Sequence, residues 1–575
     1  YMKKVLKISG IVYLLLFFAA IFLFYKLVVP YQMAFKEQAG FFMATSSYIA
    51  QYLQKPAILS ELLGDFLTQL LCLKTYYAVI PVLLLVLVWL GFSLTIKRVT
   101  KNSSAFISAL LPVAVEAAFL VYMNYPLSST ISLLVAVWSA YLVTGLQNNW
   151  GKKILLAILV PLLYLLIGGH TLTFMLIVTV MDLKLWQFNL SVFVVGIVVI
   201  MLMGRLYNLT FQQSLLYPII PGYIIPSNTM LLLMAAAVLL ALICGSLKVY
   251  GWITSVLSAS LLVLVMHFSY NADTEYAVKI STKAYNDKWN EVKSLSLDNK
   301  TNNPLGIYYR NLSFAREGRL AQELFKHAQM TSDGLFMDLQ PGVTYLEVFS
   351  YLDVLLEVGD VSQATDCALL CQTVMPKSYS SRGIKNLAEI AMIVGDIDVA
   401  NKYLDMLEAT IPHKKWAVKM KECMAADSLP QEYVVYRNRM PLVDYFYQQN
   451  NWRESLVAVA DANPLNVVAI DYLLSASLLN KNYQTFLSHY DRYYLNKLDR
   501  IIQVPEIYQQ ALLLQATDDE SLQMIMEKYR IPMSMVDYYF AFVDAQAESQ
   551  GDIRKLGNFA GTYWYYMVLA RFNKQ

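Results

Sequence analysis

The sequence predicts an all-α protein in two halves: a polytopic transmembrane helical domain over residues 1–269 and a soluble helical-repeat domain over residues 270–575. Three observations predict it. Of 575 residues, 57% are hydrophobic and only 15% charged, where a soluble chain carries about a quarter charged residues. The excess apolarity lies before His267, and charge density becomes ordinary from Tyr270 onward, which implies two solvents for two halves. The second half shows helical periodicity with a recurring glycine turn and no alternating strand pattern.

A membrane-spanning helix needs about 20 mostly apolar residues. Nine segments qualify: 8–29, 76–96, 104–123, 127–146, 153–168, 171–187, 189–205, 229–247 and 250–268. The first begins after Met2-Lys3-Lys4 and lacks a small-x-small cleavage site, so it reads as an uncleaved span. Gly168-Gly169-His170 has to turn the chain between the fifth and sixth spans; if 153–187 is instead one span, the topology flips. Basic residues collect on alternate loops at Lys3, Lys4 and Lys7, at Lys97, Arg98 and Lys101, at Lys152 and Lys153, and at Lys184 and Lys248. Such residues mark the cytoplasmic side. Nine spans then put the N-terminus inside and the second half outside, in the periplasm of a bacterial inner membrane protein.

Two outer loops stand out. Residues 30–75 carry Glu37, an amphipathic stretch from Phe41 to Leu53, Pro56, and a further apolar stretch containing Asp65, which fits two interfacial helices. Residues 205–228 are rich in Tyr and Pro, including Tyr217-Pro218 and Pro221-Gly222-Tyr223, and suit an ordered non-helical lid.

In the second half, Leu355 to Asp360 followed by Ala364 recurs as Ile390 to Asp396 followed by Ala400. Gly359 and Gly395 lie 36 residues apart, close to the tetratricopeptide period of about 34 residues. Glycine suits a tight turn between antiparallel helices, and alanine their closest approach. Asn463-Pro464 marks a third helix-pair boundary, and Trp289, Trp416 and Trp452 are expected as inter-helix core residues. Repeat arrays of this kind present a concave face to protein partners.

Composition and motifs exclude several functions. A net charge of +3 without a basic stretch interleaved with aromatics excludes a nucleic-acid surface. Phosphate-cradling glycine loops, H-E-x-x-H, G-x-S-x-G and zinc-deaminase sets are absent. Cys72, Cys244, Cys367, Cys371 and Cys423 form no metal spacing or disulfide framework; Cys367 and Cys371 share a helix face as core residues.

What remains is a set of ionisable residues at membrane depth or its outer edge. Glu116 lies in an apolar span, where a carboxylate costs about 3 kcal/mol and has to face protein or water. Arg205 ends the seventh span, His170 sits at the outer turn, and Glu37 and Asp65 belong to the first outer loop. Structural alternatives stand beside each: a helix-partnering carboxylate for Glu116, a snorkelling anchor for Arg205, a turn residue for His170, a solvated carboxylate for Asp65.

The first span, the acidic Glu37 in Phe35-Lys36-Glu37-Gln38 soon after it, the loop through Gln69 with its interfacial helices, and the many later spans resemble the GT-C class of glycosyltransferases. The arrangement also resembles bacterial envelope proteins that join a multispan half to helical repeats. The GT-C resemblance implies transfer of sugar from a polyprenyl-phosphate-linked donor to a protein or glycan acceptor, with Glu37 and Asp65 catalytic. Glu116, His170, Arg205 and Tyr223 would bind substrate. The resemblance leaves a divalent metal possible, but the usual Asp is Glu here and Met123-Asn124-Tyr125-Pro126 offers no second acidic motif, which counts against metal binding, and no metal ligand is assigned. The partners expected are membrane lipid, the lipid-linked donor and a protein on the repeats. A non-enzymatic scaffold that assembles an envelope complex is the alternative, and a lipid or polymer transporter subunit a third.

Overall fold

The computed structural model describes residues 2–73, 75–102, 105–146, 149–181, 186–218, 227–247, 251–298, 303–337, 339, 344–374, 379–446 and 451–572. Among these every regular element is helical. The chain divides into two compact units: the first is Tyr1–Val278 with Met375–Ile384 and Leu404–Lys419, the second the remainder.

Unit one runs α1 (Met2–Leu27), α2 (Pro30–Ala39), α3 (Ser46–Gln51), α4 (Ile58–Thr68), α5 (Tyr76–Thr100), α6 (Ala105–Ser108), α7 (Leu110–Val121) and α8 (Leu127–Thr144). It continues with α9 (Asn149–Ile167), α10 (Thr171–Met181), α11 (Trp186–Leu206), α12 (Phe211–Leu216), α13 (Ser227–Ser246), α14 (Gly251–Ser269) and the start of α15 (Ala272–Tyr285). Five apolar stretches are long enough to cross a membrane: Ser9–Leu27, Tyr76–Thr100, Leu127–Thr144, Trp150–Val180 and Gly251–Ser269. The nine expected spans are therefore five among the described residues. Ala105–Val121, Leu190–Leu206 and Leu232–Ser246 are apolar but shorter. Trp150–Val180 is one apolar run of 31 residues, yet its helix is broken where Gly168 takes φ +64° and a 3₁₀ turn covers Gly168–His170. A side chain is excluded there, since a Cβ on Gly168 would lie 2.3 Å from the Tyr217 carbonyl oxygen.

The segment after the first apolar helix is largely helical, as its amphipathic stretches imply. Pro30 supplies a preset φ at the start of α2, and the carboxylate of Glu275 accepts from the N–H groups of Tyr31 and Gln32 at 2.9 and 3.0 Å. These are donors that a helix start leaves without partners. Gly40 ends the helix in an extended conformation. α4 packs on α8 through Gly64, where a Cβ would meet the Ser128 backbone at 2.6 Å. Small residues let two backbones approach this closely.

Unit two consists of helical hairpins. Gly359 (φ +81°) follows the helix Tyr345–Val358 and Gly395 (φ +91°) follows Ser381–Val394. Asp360 and Asp396 stand next in each turn, accepting from the N–H groups of Gln363 and Val399, while Ala364 and Ala400 are buried. The two turns are built alike. Trp452 is buried and stacks on Phe336 at 4.5 Å, whereas Trp289 and Trp416 are half-buried. Cys367 and Cys371 are buried.

The turns differ in their surroundings, which sets a test. A Cβ on Gly359 would sit 2.4 Å from the Arg439 carbonyl oxygen, while at Gly395 the nearest neighbour is the Arg437 guanidinium at 4.0 Å. Gly395→Ala is expected to destabilise by about 1–2 kcal/mol, the cost of left-handed backbone, and Gly359→Ala by a further ~1–3 kcal/mol for overlap. Equilibrium unfolding of the full chain in detergent measures both, and equal losses would overturn the assignment of Gly359 to a closed turn.

Candidate functional site

The site is built around α2, in which Gln32, Met33, Phe35, Lys36, Glu37 and Gln38 are buried. Burying a charge is expensive unless it is paired and hydrogen-bonded, so neighbours of Lys36 and Glu37 reveal what the helix is for. Glu37 is 4% exposed, and its Oε1 lies 3.0 Å from Nε2 of His413. His413 arrives on Leu404–Lys419, the later segment that belongs to unit one.

Backbone contacts tie the same place together. The Ser381 N–H donates to the Gly40 carbonyl at 2.8 Å and its hydroxyl to the Glu37 carbonyl at 2.9 Å. The Ile411 N–H donates to Gln69 Oε1 at 3.1 Å, and the His413 N–H to the Thr410 hydroxyl. The guanidinium of Arg382, fully buried, donates to Gln38 Oε1 at 3.3 Å. Glu37, Asp65, Gln69, Ser381, Thr410 and His413 line one cavity, closed on another side by Phe41 and Phe42. Its volume is about 10 Å³, room for a single water. Asp65 accepts from Tyr52 at 2.8 Å; burial, and then the Asp65 charge, hold that phenol far above its usual range. A carboxylate oriented by an imidazole beside a second carboxylate is an acid–base arrangement.

Glu116 occupies a second polar centre. It is fully buried in α7, accepting from Thr130 at 2.6 Å and from the Tyr125 hydroxyl at 3.0 and 3.1 Å. Ser129 donates to Tyr125 at 2.9 Å and lies 3.0 Å from His170 Nε2, whose Nδ1 is 3.3 Å from Thr173. One chain of hydrogen bonds thus joins Glu116 to His170. Lys36 reaches this region from α2, donating to the Tyr122 and Tyr125 carbonyls at 2.6 and 2.5 Å. Burial draws its ammonium down to about 7, with the charge of Glu116 opposing.

The residues expected at the site therefore separate. Glu37 and Asp65 share a cavity, while Glu116 and His170 share the hydroxyl network. Arg205 is exposed in the last turn of α11 and lines neither. Tyr223 lies outside the described residues. Two residues that sequence reasoning passed over are central. His413, one of five scattered histidines, sits 376 residues from its partner, and no local pattern marks it. Lys36 was legible in principle as a charge beside Glu37 in a short helix that follows an apolar span. Among the described residues no three His, Cys, Asp or Glu side chains converge as metal ligands.

The chain belongs to a family of unknown function, DUF6057, whose model matches residues 4–570. No curated protein and no solved structure matches it significantly.

The hydroxyl network carries its own test. Tyr125→Phe removes the donor to both Glu116 oxygens and the acceptor for Ser129, and hydrogen bonds to charged groups contribute about 1.5–3 kcal/mol. Unfolding of the full chain in bicelles is expected to show a loss of that order, larger than for Ser129→Ala. A Tyr125→Phe protein as stable as wild type would mean that the network does not form.

Proposed function

We propose that this chain is a membrane glycosyltransferase resembling the GT-C class, taking sugar from a polyprenyl-phosphate-linked donor with Glu37 as catalytic base. One observation carries the reading: on the first helix after the first apolar span, the Glu37 carboxylate is buried, held 3.0 Å from the His413 imidazole, and faces a cavity that Asp65 also lines. A carboxylate in this position takes a proton from the attacking acceptor as the bond from sugar to phosphate opens. His413 orients it through that contact.

The lipid half of the donor also has a counterpart. Ile49, Leu53, Leu63 and Phe66 are exposed on and beside α3 and α4, and the Phe66 ring packs at 5.7 Å against that of Phe42 at the cavity wall. Exposed apolar faces on short helices suit the membrane interface, where a polyprenyl tail lies. On this reading the chain sits in a bacterial inner membrane and its second half is periplasmic. The hairpins of unit two form a tetratricopeptide-like array that presents a protein or glycan acceptor.

A scaffold reading keeps one observation of its own. A cavity of about 10 Å³ does not admit a sugar as it stands, so Glu37 and His413 could serve only to seat a loop. Substitution separates the two. Glu37→Gln keeps the size and an acceptor for His413 while removing the base, so stability in detergent is expected to hold and donor turnover to fall by about 10²-fold or more. Equal turnover of lipid-linked sugar by variant and wild type would leave the scaffold.

Topology is tested separately. Ser294 is exposed in unit two, and a cysteine there is expected to react with an impermeant thiol reagent in intact spheroplasts. Labelling only after lysis would place that half in the cytoplasm and remove the outer-face argument.

A further inference from the structure

We infer that the acceptor at the Glu37 centre is water, so that the chain hydrolyses a polyprenyl-phosphate-linked sugar instead of moving the sugar onto a polymer. The inference rests on the transferase reading and narrows it. Three features lead to it. The cavity beside Glu37 has a volume of about 10 Å³, which is one water and less than any sugar ring or peptide side chain. Polar side chains line it, the carboxylates Glu37 and Asp65 among them, with Gln69, Ser381 and Thr410, whose oxygens already take part in bonds within the wall. A buried water takes about three hydrogen bonds. The walls are also fastened: Ser381 is bonded to the Glu37 and Gly40 carbonyls, and Ile411 to Gln69. Enlarging the cavity for a polymer hydroxyl requires breaking these bonds, whereas water needs no movement of the walls.

The step balances. His413 Nε2 lies 3.0 Å from Glu37 Oε1; with the ring in its Nε2–H tautomer it donates to the carboxylate, which retains lone pairs to accept a proton from the water. The water oxygen bonds to the anomeric carbon of a sugar presented at the cavity mouth. The bond from that carbon to the phosphate oxygen breaks, and its electron pair leaves with the polyprenyl phosphate. The proton taken by Glu37 passes to the phosphate or to solvent. The products are free sugar and polyprenyl phosphate, and no other reactant is consumed.

Product analysis tests this with the full chain in phospholipid vesicles. The probes are undecaprenyl-phosphate-linked glucose, the mannose counterpart and a total lipid extract of the source cells, each in water enriched in oxygen-18. Free hexose together with polyprenyl phosphate that carries no heavy oxygen is the expected result, since attack at the sugar carbon leaves the phosphate oxygens untouched. Glu37→Gln is expected to lower the release by about 10²-fold or more. Heavy oxygen in the phosphate would overturn attack at carbon. Hexose recovered on a glycan, protein or lipid fraction and not as free sugar would overturn water as acceptor and leave the transferase reading intact. Should none of the probes be turned over by the wild-type chain, the transferase reading falls and this inference with it.

Discussion

Burial of two opposite charges on one short helix is the constraint on which unit one depends. Lys36 and Glu37 are neighbours in a ten-residue helix and are 5% and 4% exposed. Removing an ion from water costs several kcal/mol even after relaxation, so each needs dedicated partners. Lys36 takes two carbonyls from the turn between α7 and α8, and Glu37 takes an imidazole from a segment far along the chain. Carbonyls at the end of a helix are left without intrahelical donors; Tyr122 caps α7 and Tyr125 lies in the turn before α8, so both carbonyls can accept from an ammonium. The inclusion of Leu404–Lys419 in unit one follows from the second requirement: without His413 the carboxylate would be buried among Phe41, Phe42 and another acid.

The same logic explains the serine and threonine content of α8. Ser128, Ser129, Thr130 and Ser132 are all buried, an unusual run for an apolar helix. Thr130 satisfies Glu116 directly and Ser129 satisfies Tyr125, which in turn serves Glu116. The small size of Ser128 and the absence of a side chain on Gly64 also let α4 approach, so these residues bring the loop helices and their Asp65 down onto the bundle. A buried polar group left without a partner is costly at this depth, which is why Glu116 takes its hydroxyl contacts.

Much of this was legible in the sequence, and what was not has identifiable causes. Apolar runs locate the long helices because a membrane demands length and composition together. Gly359 and Gly395 locate turns because left-handed backbone leaves little choice of residue. Glu37 stood out as an acid next to an apolar span. The break at Gly168–His170 was legible from its glycine pair, and the structure adds that the Tyr217 carbonyl, 49 residues on, closes against it; span number was harder, since several apolar helices fall short of full length. His413 had no local signal, because its significance comes from a contact that only the fold creates.

The separation of the polar residues into two centres matters more than the loss of a single expected cavity. Glu116 was a candidate because a carboxylate in an apolar helix needs a reason; three hydroxyl contacts from Tyr125 and Thr130 provide a structural one. Glu37 has no comparable hydroxyl shell. It has one imidazole and a water-sized space shared with another acid, and a purely structural carboxylate would be more stable with that space filled by a donor. Since α2 carries both Lys36 and Glu37, a shift of this helix that tightened one centre would strain the other. The hydroxyl-bound centre therefore acts as the anchor, and the imidazole-bound centre keeps the water-sized space beside its carboxylate.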